Sequence, residues 1–153
     1  MPRPLIAACL ASGLAIGALP AAAQNALERL EMLDERMNAA AFAALEAEYP
    51  ALSGYMPSPE WNDDLRSSWA CLLDEVEART GSDGVEEFLG NYAETVDSAA
   101  SGQSDLLNMS FAPPEGMSQN DFQSVYVECG IWDAIMARYQ ESGAAAILME
   151  SSQ

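Results

Sequence analysis

From residue 25 onward the apolar side chains recur at three- and four-residue steps, and nowhere do β-branched residues alternate over a run long enough for a substantial sheet. The chain is thereby restricted to helices that each hide one face. In the first run Leu27, Leu30, Leu33 or Met37, Ala41 and Leu45 line up, while Glu28, Glu31, Asp34, Glu35 and Glu46 occupy much of the remainder. This spacing predicts a helix over 25–48, supported by its alanine content. Tyr49 and Pro50 end it, and Pro50, Gly54, Pro57 and Pro59 form a stretch through which no helix propagates.

Three further helices are expected. Ser58 is a candidate cap, with Pro59 at the first helical position and Glu60 near the unpaired amides. Trp61, Leu65, Trp69, Leu72 and Val76 continue as one apolar line that ends near Thr80 and Gly81. Asp83 and Glu86 have the spacing of a capping box, followed by Val85, Phe88 or Leu89, Tyr92, Val96 and Ala99 as a buried stripe, with Ser101 and Gly102 as its end. Ser118 and Asp121 propose the next start, before Phe122, Val125 or Tyr126, Cys129, Trp132, Met136 and Tyr139. After the interruption at Glu141, Ser142 and Gly143, residues 144–150 suit a short terminal helix. Because an isolated amphipathic helix is marginal in water, the expected fold is all-α: a compact bundle of about four amphipathic helices plus the short terminal one, with 24–153 as a single domain.

The first 23 residues have a different character. Arg3 precedes an apolar run through Leu5, Ile6, Leu10, Leu14, Ile16 and Leu19, then Pro20 and three alanines. This is the layout of a secretory signal peptide, with processing expected after Ala23. A lipoprotein box at Ile6, Ala7, Ala8 and Cys9 competes with it, but the apolar stretch before Cys9 is too short. A retained membrane anchor is the other reading, since the run approaches the ~20 residues that cross a bilayer. The alanine-rich exit after Pro20 favours cleavage, and no later segment is apolar enough to span a membrane. The expected location is periplasmic or secreted, where Cys71 and Cys129, the two cysteines left after cleavage, form a structural disulfide. They lack the short CxxC spacing of a redox-active pair.

Composition excludes several chemistries. The chain has no His and no Lys, so histidine catalysis, Schiff-base chemistry and a P-loop lysine are ruled out. Its six basic residues, all arginine, face 24 acids, a formal charge of −18, which argues against nucleic-acid binding. There is no GxSxG elbow and no glycine-rich phosphate turn. Neighbouring acids at Asp63 and Asp64, Asp74 and Glu75, and Glu86 and Glu87 are the candidates for a carboxylate-dependent hydrolase of envelope polysaccharide, although adjacency on a helix does not supply the required separation. The residues around Asp83, Gly84, Glu86 and Glu87 lack the alternating oxygen ligands of an EF-hand. For a periplasmic metal-binding protein, Met109 and Met117 are the first soft-ligand pair to consider, but the methionines are scattered. No cofactor and no catalytic residue is assigned.

A noncatalytic role then fits the sequence best: an exported, envelope-associated interaction or accessory protein whose acidic surface attracts a basic protein or envelope complex. Residues 103–117 combine Leu106, Leu107, Met109 and Phe111 with Pro113, Pro114 and Gly116, which suits a loop packed on the core or, where exposed, a partner-binding segment. The candidate partner-binding residues are Tyr55, Met56, Trp61, Leu106, Leu107, Met109, Phe111 and Met117.

Overall fold

The computed structural model describes residues 21–100 and 111–151, with side chains from Asn25 onward. The expected leader up to residue 20, together with Leu106, Leu107 and Met109, lies outside the described residues. Among these the architecture is all-α: α1 (Ala21–Glu48), a 3₁₀ turn (Pro50–Leu52), α2 (Asp63–Ala100), α3 (Gln119–Glu128), α4 (Ile131–Ser142) and α5 (Ala144–Ser151). No described helix is long and apolar enough to cross a membrane.

α2 comprises the second and third expected helices, and it folds back on itself. Gly81, at φ 75° and ψ −177°, is non-helical inside it. Were α2 straight, Trp69 and Tyr92 would be about 35 Å apart at 1.5 Å per residue; their ring centroids are 5.9 Å apart. Glycine reaches this left-handed φ without a Cβ clash. The expected capping box after the bend does not form, because Glu86 accepts from Arg29 of α1 at 2.8 Å.

α1 packs along both halves of this hairpin. Arg29 meets Glu86, Asp34 meets Tyr92 and Arg36 meets Asp97, so α1 runs parallel to residues 82–100. Glu31 meets Arg66 and Asp34 meets Trp61, so it runs antiparallel to 63–80. The three strips interlock through Leu27, Leu30 and Met37 from α1, Leu65, Trp69, Leu72 and Val76 from the first half of α2, and Phe88, Leu89, Tyr92 and Val96 from the second. Each such side chain, fully withdrawn from water, contributes about 1.5–3 kcal/mol.

The first half of α2 starts later than expected. Asn62 is the cap, its Oδ1 accepting from Leu65 N at 2.9 Å, whereas Ser58 Oγ accepts only from Glu60 N in a local turn. The physical reason lies in α4, where Arg138 donates to the carbonyls of Ser58 and Glu60 and takes them as partners from outside the segment.

The expected fourth helix is two helices. Ser118 caps α3 as anticipated, accepting from Asp121 N at 3.1 Å, but Gly130 at φ 70° breaks the run and starts α4 in a new direction. Rotation of the second piece leaves Trp132, expected on the buried stripe, 58% exposed. Cys129, at the end of α3, forms a disulfide with Cys71 of α2, their Cα atoms 5.7 Å apart. α4 returns to α1 through an edge-to-face contact of Tyr139 with Phe42, and α5 closes against α4 and the 3₁₀ turn.

Candidate functional site

The polar centre of the bundle is Asp34. It occupies the step between Leu30 and Met37 on the inward face of α1 and is 7% exposed, although the sequence groups it with the solvated acids. Its Oδ2 accepts from Trp61 Nε1 at 2.6 Å and from Asn38 Nδ2 at 2.8 Å, and its Oδ1 accepts from the Tyr92 hydroxyl. Burial pushes the Asp34 carboxyl above its ordinary 3.8, while the bonds from Tyr92, Trp61 and Asn38 and the charge of Arg138 oppose that rise. The Tyr92 hydroxyl is held well above 10.0 by its own burial and by the Asp34 charge, so it stays a donor. The carboxylate accepts from three structural donors and so fastens the 57–62 segment and α2 to α1.

An aromatic array surrounds this centre. Trp61 stacks on Trp69 with a 4° interplanar angle and centroids 6.0 Å apart. Trp69 meets Tyr92 and Tyr126 edge to face, and Phe111 stacks on Tyr92 at 4.5 Å. Phe88 and Phe122 extend the array beneath α3. Trp69 Nε1 is buried and has no acceptor among the described residues. Arg138, only 9% exposed, holds the neighbouring 57–62 segment through Nη2, at 2.7 Å from the Glu60 carbonyl.

Two cavities open from this framework. The first, about 400 Å³, is lined by Phe111, Gln119, Phe122, Gln123, Tyr126, Val127 and Trp132. Two of its residues are strongly exposed, Val127 at 66% and Trp132 at 58%. The second, about 460 Å³, lies at the other end of α4 and is lined by Pro57, Ser58, Glu60, Trp61, Asn62, Arg138, Glu141 and Ser142.

The expected partner-binding residues do not form one surface. Phe111 lines the first cavity and Trp61 the second. Tyr55 is exposed and lies against Gly143, 3.4 Å from the position its Cβ would take. Met56 is half-buried, and Met117 is buried in the core. Tyr126, Val127 and Trp132 were outside the expected set, since helical spacing through 118–139 placed Trp132 inward. Gly130 was the available signal that the stripe turns there.

Apart from the buried Asp34, the described acids are spread over the surface. None of the adjacent pairs considered for hydrolysis lines either cavity. Glu75 pairs with Arg79, Glu86 with Arg29, and Glu87 accepts from Glu115 N. Among the described residues no three Cys, Asp or Glu side chains come together as a metal site. Compared with known proteins, the chain matches no family model, no curated protein and no solved structure.

Proposed function

We propose that the chain is an exported, noncatalytic accessory protein of the cell envelope that captures a basic protein segment at the cavity between Phe111 and Trp132. The observation carrying this reading is the convergence of Val127 and Trp132, both exposed, with Phe111, Phe122 and Tyr126 on one open cavity. An open cavity walled by aromatic side chains, with an exposed tryptophan at its edge, is the kind of place where interface anchors seat.

Charge supports the nature of the occupant. The cavity lies within residues 111–137, which include Glu115, Asp121, Glu128 and Asp133 and no arginine. The arginines elsewhere are engaged: Arg29, Arg36, Arg66 and Arg79 in ion pairs and Arg138 with backbone carbonyls. A cationic segment carrying one or two apolar anchors is attracted by the net charge of −18 and finds a place for its anchors at the aromatic-lined cavity.

Affinity capture from the native envelope at low and physiological salt, with the wild type beside Trp132→Ser and Val127→Ser, tests the reading. A stoichiometric basic partner is expected with the wild type and is lost with both variants. Equal recovery by all three proteins, or recovery of a lone monomer at both salts, contradicts it.

A further inference from the structure

We propose that the second cavity, between the 57–62 segment and the end of α4, is a binding site for a neutral saccharide, independent of the protein-docking surface above. Its volume, about 460 Å³, falls within the ~300–1,000 Å³ usual for small-molecule sites.

The Trp61 indole supplies the apolar component. It is fixed twice, by stacking on Trp69 and by donating Nε1–H to Asp34, so what it presents to the cavity is held in one orientation. A pyranose ring offers the complementary surface: a face of C–H groups that lies on an aromatic plane, with hydroxyls projecting around its rim. The rigidity of the indole reduces the ordering needed on binding.

The polar lining contains both donors and acceptors. Arg138 is about nine-tenths buried and lines the cavity, and among the described residues its hydrogen bonds run from Nη2 to the Ser58 and Glu60 carbonyls. Its remaining N–H groups are available to ligand oxygens. Asn62 uses Oδ1 as the helix cap, which leaves its Nδ2 as a donor. Glu60 and Glu141 line the same space and form no ion pair among the described residues, so both carboxylates are acceptors for hydroxyl protons.

This combination selects against charged ligands. An anion at Arg138 would share the cavity with two carboxylates, and a cation at the carboxylates would share it with a guanidinium. A neutral polyhydroxyl compound satisfies both kinds of group without an unpaired charge.

Isothermal titration of the full chain with cellotetraose, maltotetraose and the N-acetylglucosamine tetrasaccharide tests the assignment, repeated with Glu60→Gln and Glu141→Gln. Both glutamates are exposed, and circular dichroism verifies that the variants keep the wild-type fold. At least one saccharide is expected to bind with a Kd of about 1 mM or tighter, weakened about tenfold by either substitution through loss of a charged hydrogen bond. No binding by any of the three, or binding that neither substitution weakens, overturns the proposal.

Discussion

Asp34 stands on the face of α1 where an apolar residue would be expected, and its three donors come from three different parts of the chain: Asn38 on its own helix, Trp61 before α2 and Tyr92 beyond the bend. Asp34→Ala leaves Tyr92 and Trp61 without their acceptor inside the bundle. Urea unfolding is expected to show a loss of about 3–5 kcal/mol, the scale for breaking a buried charged network. A change below the ordinary surface range would mean that the network does not hold the segment. The pH dependence has a definite sign. The folded carboxyl is raised above 3.8, so between those two values the folded state binds the proton more readily than the unfolded chain. Asp34 therefore adds stability as pH falls through its raised value toward 3.8, and that contribution disappears as pH rises. Relative to Asp34→Asn, the wild type should gain in Tm as pH is lowered from neutrality toward 3.8, and a relative loss would contradict the assignment. The sequence contains the spacing 27, 30, 34, 37 that places Asp34 inward, but an acid in a chain with 24 of them is read as solvated. Its inward position becomes legible only once Tyr92 and Trp61 are known to face it.

At the level of elements, glycines decide where the helices turn. Gly81 needs positive φ, and a Cβ there would meet no neighbour within 4 Å, so the strain on substitution is confined to the backbone. Gly81→Ala should destabilise by about 1–3 kcal/mol, the cost of holding a residue with a Cβ at φ 75° and ψ −177°, measured by chemical unfolding. An unchanged midpoint would show that the bend tolerates an ordinary residue. The disulfide closes a loop between positions 58 residues apart. Replacing both cysteines by alanine should lower stability by about 2–4 kcal/mol in the same assay, and indifference to the replacement would place the bridge outside the stabilising framework. Helix positions and the cysteine pairing were legible because periodicity, proline stops and an even cysteine count are local or compositional signals. The start at Asn62 was not, since it depends on Arg138, 78 positions from Glu60, withdrawing two carbonyls. The break at Gly130 was marked by its residue type but masked by apolar spacing that continues on both sides. The consequence was large, because the exposed Trp132 lies immediately beyond it.

For the whole molecule, charge and shape act together. The formal charge of −18 opposes compaction, and salt screens that repulsion. Tm should rise from about 10 mM to about 150 mM sodium chloride, over which the screening length shortens from ~30 Å to ~8 Å; a fall would mean that ion pairs such as Arg29–Glu86 and Arg36–Asp97 outweigh the net repulsion. In the proposed function the same field would draw a cationic partner toward the surface that carries the exposed Trp132. The chain has three tryptophans in three environments: Trp69 buried, Trp61 half-buried and Trp132 exposed. Fluorine NMR of the protein labelled with 5-fluorotryptophan, titrated with a lysine-rich amphipathic peptide at low and physiological salt, therefore addresses the docking surface directly. The Trp132 resonance should move saturably at both salts, with weaker affinity at the higher one, while the Trp69 resonance stays in place. A Trp132 resonance that does not move, or one that moves only at low salt and in step with the other two, would contradict docking at the cavity between Phe111 and Trp132.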